Sequence, residues 1–250
     1  MVDYLYDGAF EGFLTCVHAH YYQEKANGIF PSGRYQSNLL STHCQIETDP
    51  EKAMKVYQAI GGKISPKDLA RVYRVFLSCA PDKEMKLLRY IEKGFKTGPK
   101  LSMFHGDPVV FEVQQIERKV AFEVERLSGL LRFSVLKGGV LYASIEPDHD
   151  ICELLADHFC DRFRHDPFVI HDKKRAKALI ANEGDWYIAE FTPLSLPELS
   201  GSENEYRKLW KEYFDAIAIK ERENPRCQKN LMPVRYWKNL TEMQGHVTLK

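Results

Sequence analysis

The sequence lacks a charge bias: 35 lysines and arginines are balanced by 35 aspartates and glutamates. That excludes the strongly basic character of a general nucleic-acid coat protein, so any nucleic-acid site has to be a local patch. Paired cysteines are also missing. Cys16, Cys44, Cys79, Cys152, Cys160 and Cys227 are scattered without a C-x-x-C pair, which argues against a zinc ribbon, a redox dithiol or an iron–sulfur loop, and reduced thiols are expected. No uncharged apolar run approaches the length of a bilayer span, and the N-terminus has no basic stretch followed by an apolar core, so a cytoplasmic protein without a membrane partner is expected. Neither a Walker loop nor a G-x-G-x-x-G turn occurs, and nucleotide hydrolysis and dinucleotide redox chemistry are not expected.

Histidine offers little. His18 and His20 stand two apart and diverge on a helix, His149 and Cys152 form one i, i+3 pair without further ligands, and the neighbours His43 and Cys44 point apart. No metal or cofactor site is expected in this chain.

What is present is ample material for a core: 250 residues, 44% of them hydrophobic. This suffices for one large domain or two small ones. A short strand, Val2 to Tyr6, precedes a helix with apolar residues at Phe10, Phe13, Leu14, Val17 and Tyr21. The stretch 27–48, with Gly28, Pro31, Gly33 and Asn38, has no period and is expected as a long loop. Asp49-Pro50 and Ser65-Pro66 each read as an N-cap followed by the first helical residue. Further helices are expected from Asp82 to Phe95 and from Asp107-Pro108 to Ser128, with Gly129 as the stop.

From Leu130 the period falls to two, the signature of strands. Lys137-Gly138-Gly139 predicts a β-hairpin into Val140 to Ile145. A helix from about Asp148 to Arg164 follows, then strands at Phe168 to His171, Ala178 to Ala181 and Trp186 to Phe191. Pro193, Pro197 and Gly201 break the chain before a last helix, opened by a Ser202/Glu205 capping box with Tyr206, Trp210, Tyr213 and Ile217 as its buried stripe. The expected fold is a single α+β domain over 1–250, divisible into a mainly helical 1–129 and a second half, 130–250. That second half comprises an antiparallel sheet with a packed helix, the C-terminal helix and a docked tail.

Several groups could carry chemistry. Arg235, Tyr236, Trp237 and Lys238 set two aromatics between two cations, a mix that can neutralise phosphate and stack on bases, or simply dock on the core with the charges in water. Arg132, Arg162, Asp172 and Arg175 are either an anion site or a structural ion-pair set, with Asp172 orienting an arginine. The run Lys173, Lys174, Arg175, Lys177 is either a recognition surface or a solvated turn. Glu123 and Asp172 are the candidate general acid or base, although Glu123 with Arg126 equally makes an i, i+3 helix pair.

The stretches Tyr6-Asp7-Gly8-Ala9-Phe10-Glu11-Gly12-Phe13, Glu123 to Phe133, Phe159-x-x-Arg162-Phe163, Ile170-His171-Asp172-x-x-Arg175 and Pro233 to Glu242 together resemble an uncharacterised family labelled "probable DNA metabolism protein". The resemblance spans nearly the whole chain. It implies a role in DNA repair or modification beside a radical-SAM protein, which would carry the iron–sulfur cluster and S-adenosylmethionine, or with a uracil-DNA-glycosylase-like domain. The sequence ends shortly after Glu242, so a fused glycosylase domain is not expected. The leading expectation is an accessory protein for single-stranded or damaged DNA, with Arg132, Arg162, Arg175, Arg235 and Lys238 on phosphates and Tyr236 and Trp237 stacking. The alternatives are a nucleobase-acting or nucleotide-acting enzyme and a protein-binding scaffold without DNA affinity.

Overall fold

The structure, a computed structural model, describes residues 2–36, 42–193 and 198–244, apart from the side chain of Lys220. Asn38 and Pro197, both read above as loop residues, lie outside the described residues. The chain divides into two compact units, residues 1–121 and 122–250.

In the first unit, strand β1 (Val2–Tyr6) is buried along its whole length between two parallel neighbours, β2 (Ala26–Pro31) and β3 (Thr42–Gln45). Apart from Ala26, both neighbours fall inside the stretch expected as loop. Their side chains explain the miss: β3 is exposed at all four positions, so no alternation of apolar and polar residues marks it. Helix α1 (Phe10–Tyr22) joins β1 to β2, the crossover that a parallel pair requires.

The caps at Asp49 and Ser65 behave as their sequences dictate, whereas Ser202, expected to open a capping box, is helical in backbone and makes no side-chain cap hydrogen bond. Asp49 Oδ1 accepts the backbone N–H groups of Glu51 and Lys52 at 3.0 and 3.1 Å, opening α2 (Pro50–Ala59). Ser65 Oγ accepts the Asp68 N–H at 3.0 Å, opening α3 (Pro66–Phe76). In both helices proline occupies a position whose missing N–H costs nothing. Helix α4 (Lys83–Thr97) ends on Gly98 at φ 71°, a conformation that glycine adopts without penalty. Apolar side chains of these elements, among them Tyr6, Phe13, Val72, Leu87 and Ile91, make one core. Helix α5 (Pro108–Leu130) runs through Gly129 and stops one residue later.

The second unit holds a five-stranded sheet in the order β4-β5-β6-β7-β8: β4 (Ser134–Val135), β5 (Leu141–Ile145), β6 (Phe168–Asp172), β7 (Lys177–Asn182) and β8 (Asp185–Glu190). The hairpin β4–β5 turns at Gly138 and Gly139, both at positive φ, and β7–β8 turns at Glu183 and Gly184. The sheet is mixed rather than wholly antiparallel, because β5 and β6 run parallel. Only tight turns force antiparallel neighbours; the long connection through α6 (Ala156–Arg162) lets β6 return in the same direction.

Helix α6 is shorter than expected because the amides of Asp148 and His149 donate to Glu123 rather than entering a helical ladder. Helix α7 (Glu203–Ile217) is also oriented differently from expectation: Tyr206, Leu209, Tyr213 and Ile217 face solvent, while Arg207 and Phe214 lie on the covered side. After α8 (Pro225–Leu231), the tail docks: Trp237, Leu240 and Met243 bury together, with Leu130, Phe214 and Met232 against them. The α+β class therefore holds, and the tail is a packed part of the second unit. Among the described residues no helix is long and apolar enough to cross a membrane.

Candidate functional site

Two sets of charged side chains occupy the second unit, and they are built differently. In the first set, Glu123 projects from α5 into a buried position with its side chain 3% exposed. Oε1 accepts the Asp148 N–H at 3.0 Å, the Arg235 guanidinium at 3.1 Å and the Tyr236 hydroxyl at 2.7 Å; Oε2 accepts the His149 N–H at 2.8 Å. Burial, reinforced by the facing Glu123 carboxylate, pushes the Tyr236 phenol up to about 12. Arg235 also pairs with the Asp148 carboxylate. Burial works against its charge, but the tyrosine, Asp148 and Glu123 outweigh that and hold its pKa above the ordinary arginine range.

Asp172 continues this set. Fully buried at the end of β6, it accepts the N–H groups of Lys174 and Arg175 at 3.0 and 3.3 Å and the Arg175 guanidinium at 2.7 Å. Arg175 in turn donates to the carbonyls of Pro147 and Asp148. Glu123 and Asp172 thus spend their oxygens on the protein's own donors, fixing two turns. Burial holds His149, beside Glu123, below its ordinary pKa of 6.5 despite the neighbouring carboxylates.

The second set surrounds two clefts. Arg132 donates from Nη2 to Glu242 Oε1 at 2.6 Å and from Nε to Oε2 at 3.2 Å, with its guanidinium 5.3 Å from the Trp210 ring centroid. Glu242 also accepts the Trp210 indole N–H at 2.9 Å. Burial alone would raise the Glu242 carboxyl; the hydrogen bonds from Arg132 and Trp210 overcome it and hold the group below its ordinary 4.5. Arg207 is placed the same way, by Glu203 at 2.9 Å and the Ser134 hydroxyl at 2.6 Å. Both carboxylates are nearly sealed, with 1% and 7% side-chain exposure, while Arg132 and Arg207 remain about a quarter to a third exposed. The acids sit behind the cations and steady them.

The first cleft, about 430 Å³, is lined by four cations, Arg132, Lys173, Arg207 and Lys238, against one carboxylate, Glu198, which pairs with Lys137. Ser134, Ser144, Asn239 and Thr241 add neutral hydrogen-bonding groups. Lys238 pairs with Glu146 at 2.6 Å and stays half exposed; Lys173 has no carboxylate partner among the described residues. The second cleft, about 560 Å³, shares Arg132, Arg207 and Thr241 with the first and adds Arg162 together with Phe133, Phe163, Tyr206 and Trp210. Such surroundings can hold an anion that carries a planar, apolar part.

The residues singled out from the sequence therefore separate. Arg132 and Lys238 meet in the first cleft, and Arg132 and Arg162 meet in the second. Glu123, Asp172, Arg175 and Arg235 form the satisfied network. Tyr236 and Trp237, only 2% and 9% exposed, are anchors of the tail, with Trp237 donating its indole N–H to the Met232 carbonyl at 2.9 Å. Arg207 is the cleft cation that the sequence reading missed. Its signal was present as the i, i+4 pair Glu203–Arg207 on α7, a pattern shared with many solvated helix faces. No group of three or more metal-ligating side chains converges among the described residues. Cys16 and Cys152 are buried, and burial pushes both thiols up to about 12, where they are poor nucleophiles.

The fold and the clefts define an α+β protein whose second unit presents a cationic groove continuous with an aromatic one. The chain belongs to a family of domains of unknown function, DUF4130, whose model matches residues 81–242. The match runs from α4 to Glu242 and includes every lining residue named above. No curated protein matches the chain.

Proposed function

We propose that this protein is a DNA-metabolism accessory factor that binds single-stranded or damaged DNA in the cleft of Arg132, Lys173, Arg207 and Lys238. It works in the cytoplasm beside a radical-SAM or glycosylase-type partner, which supplies any iron–sulfur and S-adenosylmethionine chemistry. The observation that carries the binding mode is the convergence of four cations on one concave surface in a chain of zero net charge. The DNA role itself rests on the family resemblance of the stretches Glu123 to Phe133, Phe159 to Phe163 and Pro233 to Glu242. Aromatic side chains exposed beside the cations fit a single strand, which offers both phosphates and unstacked bases. Three of the cations are compensated by carboxylates. Affinity should therefore lie in the weak, salt-sensitive range of about 10⁻⁴–10⁻⁶ M at physiological salt.

Fluorescence anisotropy with single-stranded and double-stranded oligonucleotides over a salt series tests this. The wild type should prefer single strands. The double variant Lys173→Ala/Lys238→Ala should bind every sequence more weakly and flatten the log–log salt dependence by about 0.7 per lost phosphate contact. An unchanged slope, or no binding at low salt, overturns the assignment.

A second reading draws on α7. Tyr206, Leu209, Tyr213 and Ile217 make an exposed apolar stripe at helical spacing, the form of surface that packs against a partner protein. On this reading the protein is a scaffold for the radical-SAM partner. A complex that forms without DNA affinity, and that Leu209→Asp abolishes, would favour it.

A further inference from the structure

We infer that the second cleft is a pocket for one unpaired nucleobase of a strand whose phosphates lie in the first cleft. The inference rests on the DNA-binding reading and adds what that site does with a base. Its walls are aromatic on two sides: Phe133 and Phe163 come from the segments around β4 and α6, and Tyr206 and Trp210 come from α7. Phe133 and Phe163 already pack edge to face, with centroids 4.9 Å apart, so that wall is rigid. The α7 aromatics are left open, with Tyr206 64% and Trp210 38% exposed. Large aromatic surface held in water at a cleft mouth gains hydrophobic and stacking energy only when something flat covers it.

The charge pattern points the same way. Arg132, Arg175, Arg207, Arg235 and Lys238 each have a carboxylate within pairing distance. Arg162 has none among the described residues; it is exposed, with its guanidinium 5.6 Å from the Phe163 ring centroid. An uncompensated arginine at an aromatic slot suits a phosphate attached to the base inside. Arg132 and Arg207 line both clefts, so the backbone has a continuous cationic path from one to the other. The volume, about 560 Å³, falls within the usual span of about 300–1,000 Å³ for small-molecule sites. Specificity among bases should be low. The carboxylate in the pocket, Glu203, is already committed to the Val135 N–H and to Arg207, so stacking rather than edge recognition holds the base.

The test uses a short oligothymidylate carrying one 2-aminopurine, whose fluorescence is quenched on stacking. Tyr206→Ala and Arg162→Ala alter exposed side chains and should melt like the wild type. Wild type should quench the probe on binding. Tyr206→Ala should abolish the quench and lower affinity roughly five- to hundred-fold with the salt slope unchanged. Tyr206→Phe, which keeps the ring, should restore both. Arg162→Ala should instead reduce the slope by about 0.7. If Tyr206→Ala binds and quenches as wild type while Lys173→Ala/Lys238→Ala loses binding, the base pocket is wrong and the DNA-binding reading stands. If wild type binds no oligonucleotide at low salt, both fall.

Discussion

The sealed cluster around Glu123 and Asp172 and the open cleft around Arg132 and Arg207 use the same chemistry, arginine on carboxylate, to opposite effect. In the sealed cluster the carboxylates are the hubs: Glu123 collects four donors and Asp172 three, drawn from backbone amides as well as side chains. The arginines there are clamps on turns, and Arg175 also spends donors on two carbonyls. At the cleft the carboxylates are the supports. Glu242 and Glu203 are buried beneath Arg132 and Arg207, whose charge is left towards the opening. A count of cations alone does not tell the two sets apart; the side on which the acid sits does.

The sharpest way to break the comparison is at the hub. Glu123→Ala strands two backbone amides, the Tyr236 hydroxyl and Arg235 together. It should cost about 3–5 kcal/mol, towards the lower end because Arg235 keeps access to water. Urea denaturation followed by circular dichroism measures this. A loss below about 1 kcal/mol would show that the cluster does not hold the turns.

The next test separates stability from binding in a single residue. Glu242→Gln removes the charge behind Arg132 while keeping the shape, and should cost about 1.5–3 kcal/mol, the range for hydrogen bonds to a charged group. Because the folded carboxyl titrates below its ordinary 4.5, its contribution is complete above that value and is lost as pH falls through the folded one. The variant should therefore lack this part of the acid-induced loss of stability. With Arg132 no longer compensated, its affinity for single-stranded DNA at neutral pH should rise while its stability falls. If both fall together, Glu242 is needed to position Arg132 more than it costs in charge.

Much of this arrangement was legible in the sequence where local chemistry decides. Asp49-Pro50 and Ser65-Pro66 are caps because their side chains satisfy helix amides, and Gly138-Gly139 is a turn because glycine accepts positive φ. The docking of Tyr236 and Trp237 was also readable as one of two alternatives. What escaped depends on distant partners. Strands β2 and β3 exist because β1 supplies their hydrogen bonds, and the exposed side chains of β3 carry no period. The rotation of α7 is set by Glu203, whose carboxylate accepts the Val135 N–H at 2.9 Å. No spacing within α7 shows that Glu203, Arg207 and Phe214 turn inward in place of its apolar stripe. Arg207 therefore stayed hidden, while Arg175, prominent in its motif, proved to be held by Asp172 three residues away, and Arg235 by Glu123 and Asp148 far away in the chain.

The smallest expected effect is the most discriminating. Lys173 and Lys174 are neighbours in one basic run, yet Lys173 lines the cleft and Lys174 lies 3.8 Å from the Asp148 carboxylate, on the side of the sealed cluster. Both are exposed, so replacing either with alanine should shift stability by no more than about 0.5 kcal/mol. Binding should tell them apart. Lys173→Ala should reduce the salt slope for single-stranded DNA by about 0.7, the value of one phosphate contact, whereas Lys174→Ala should leave it unchanged. Equal losses would mean that DNA senses the summed charge of the β6–β7 turn. A loss confined to Lys173 would mean that it senses the cleft, because the two variants differ in position and not in charge.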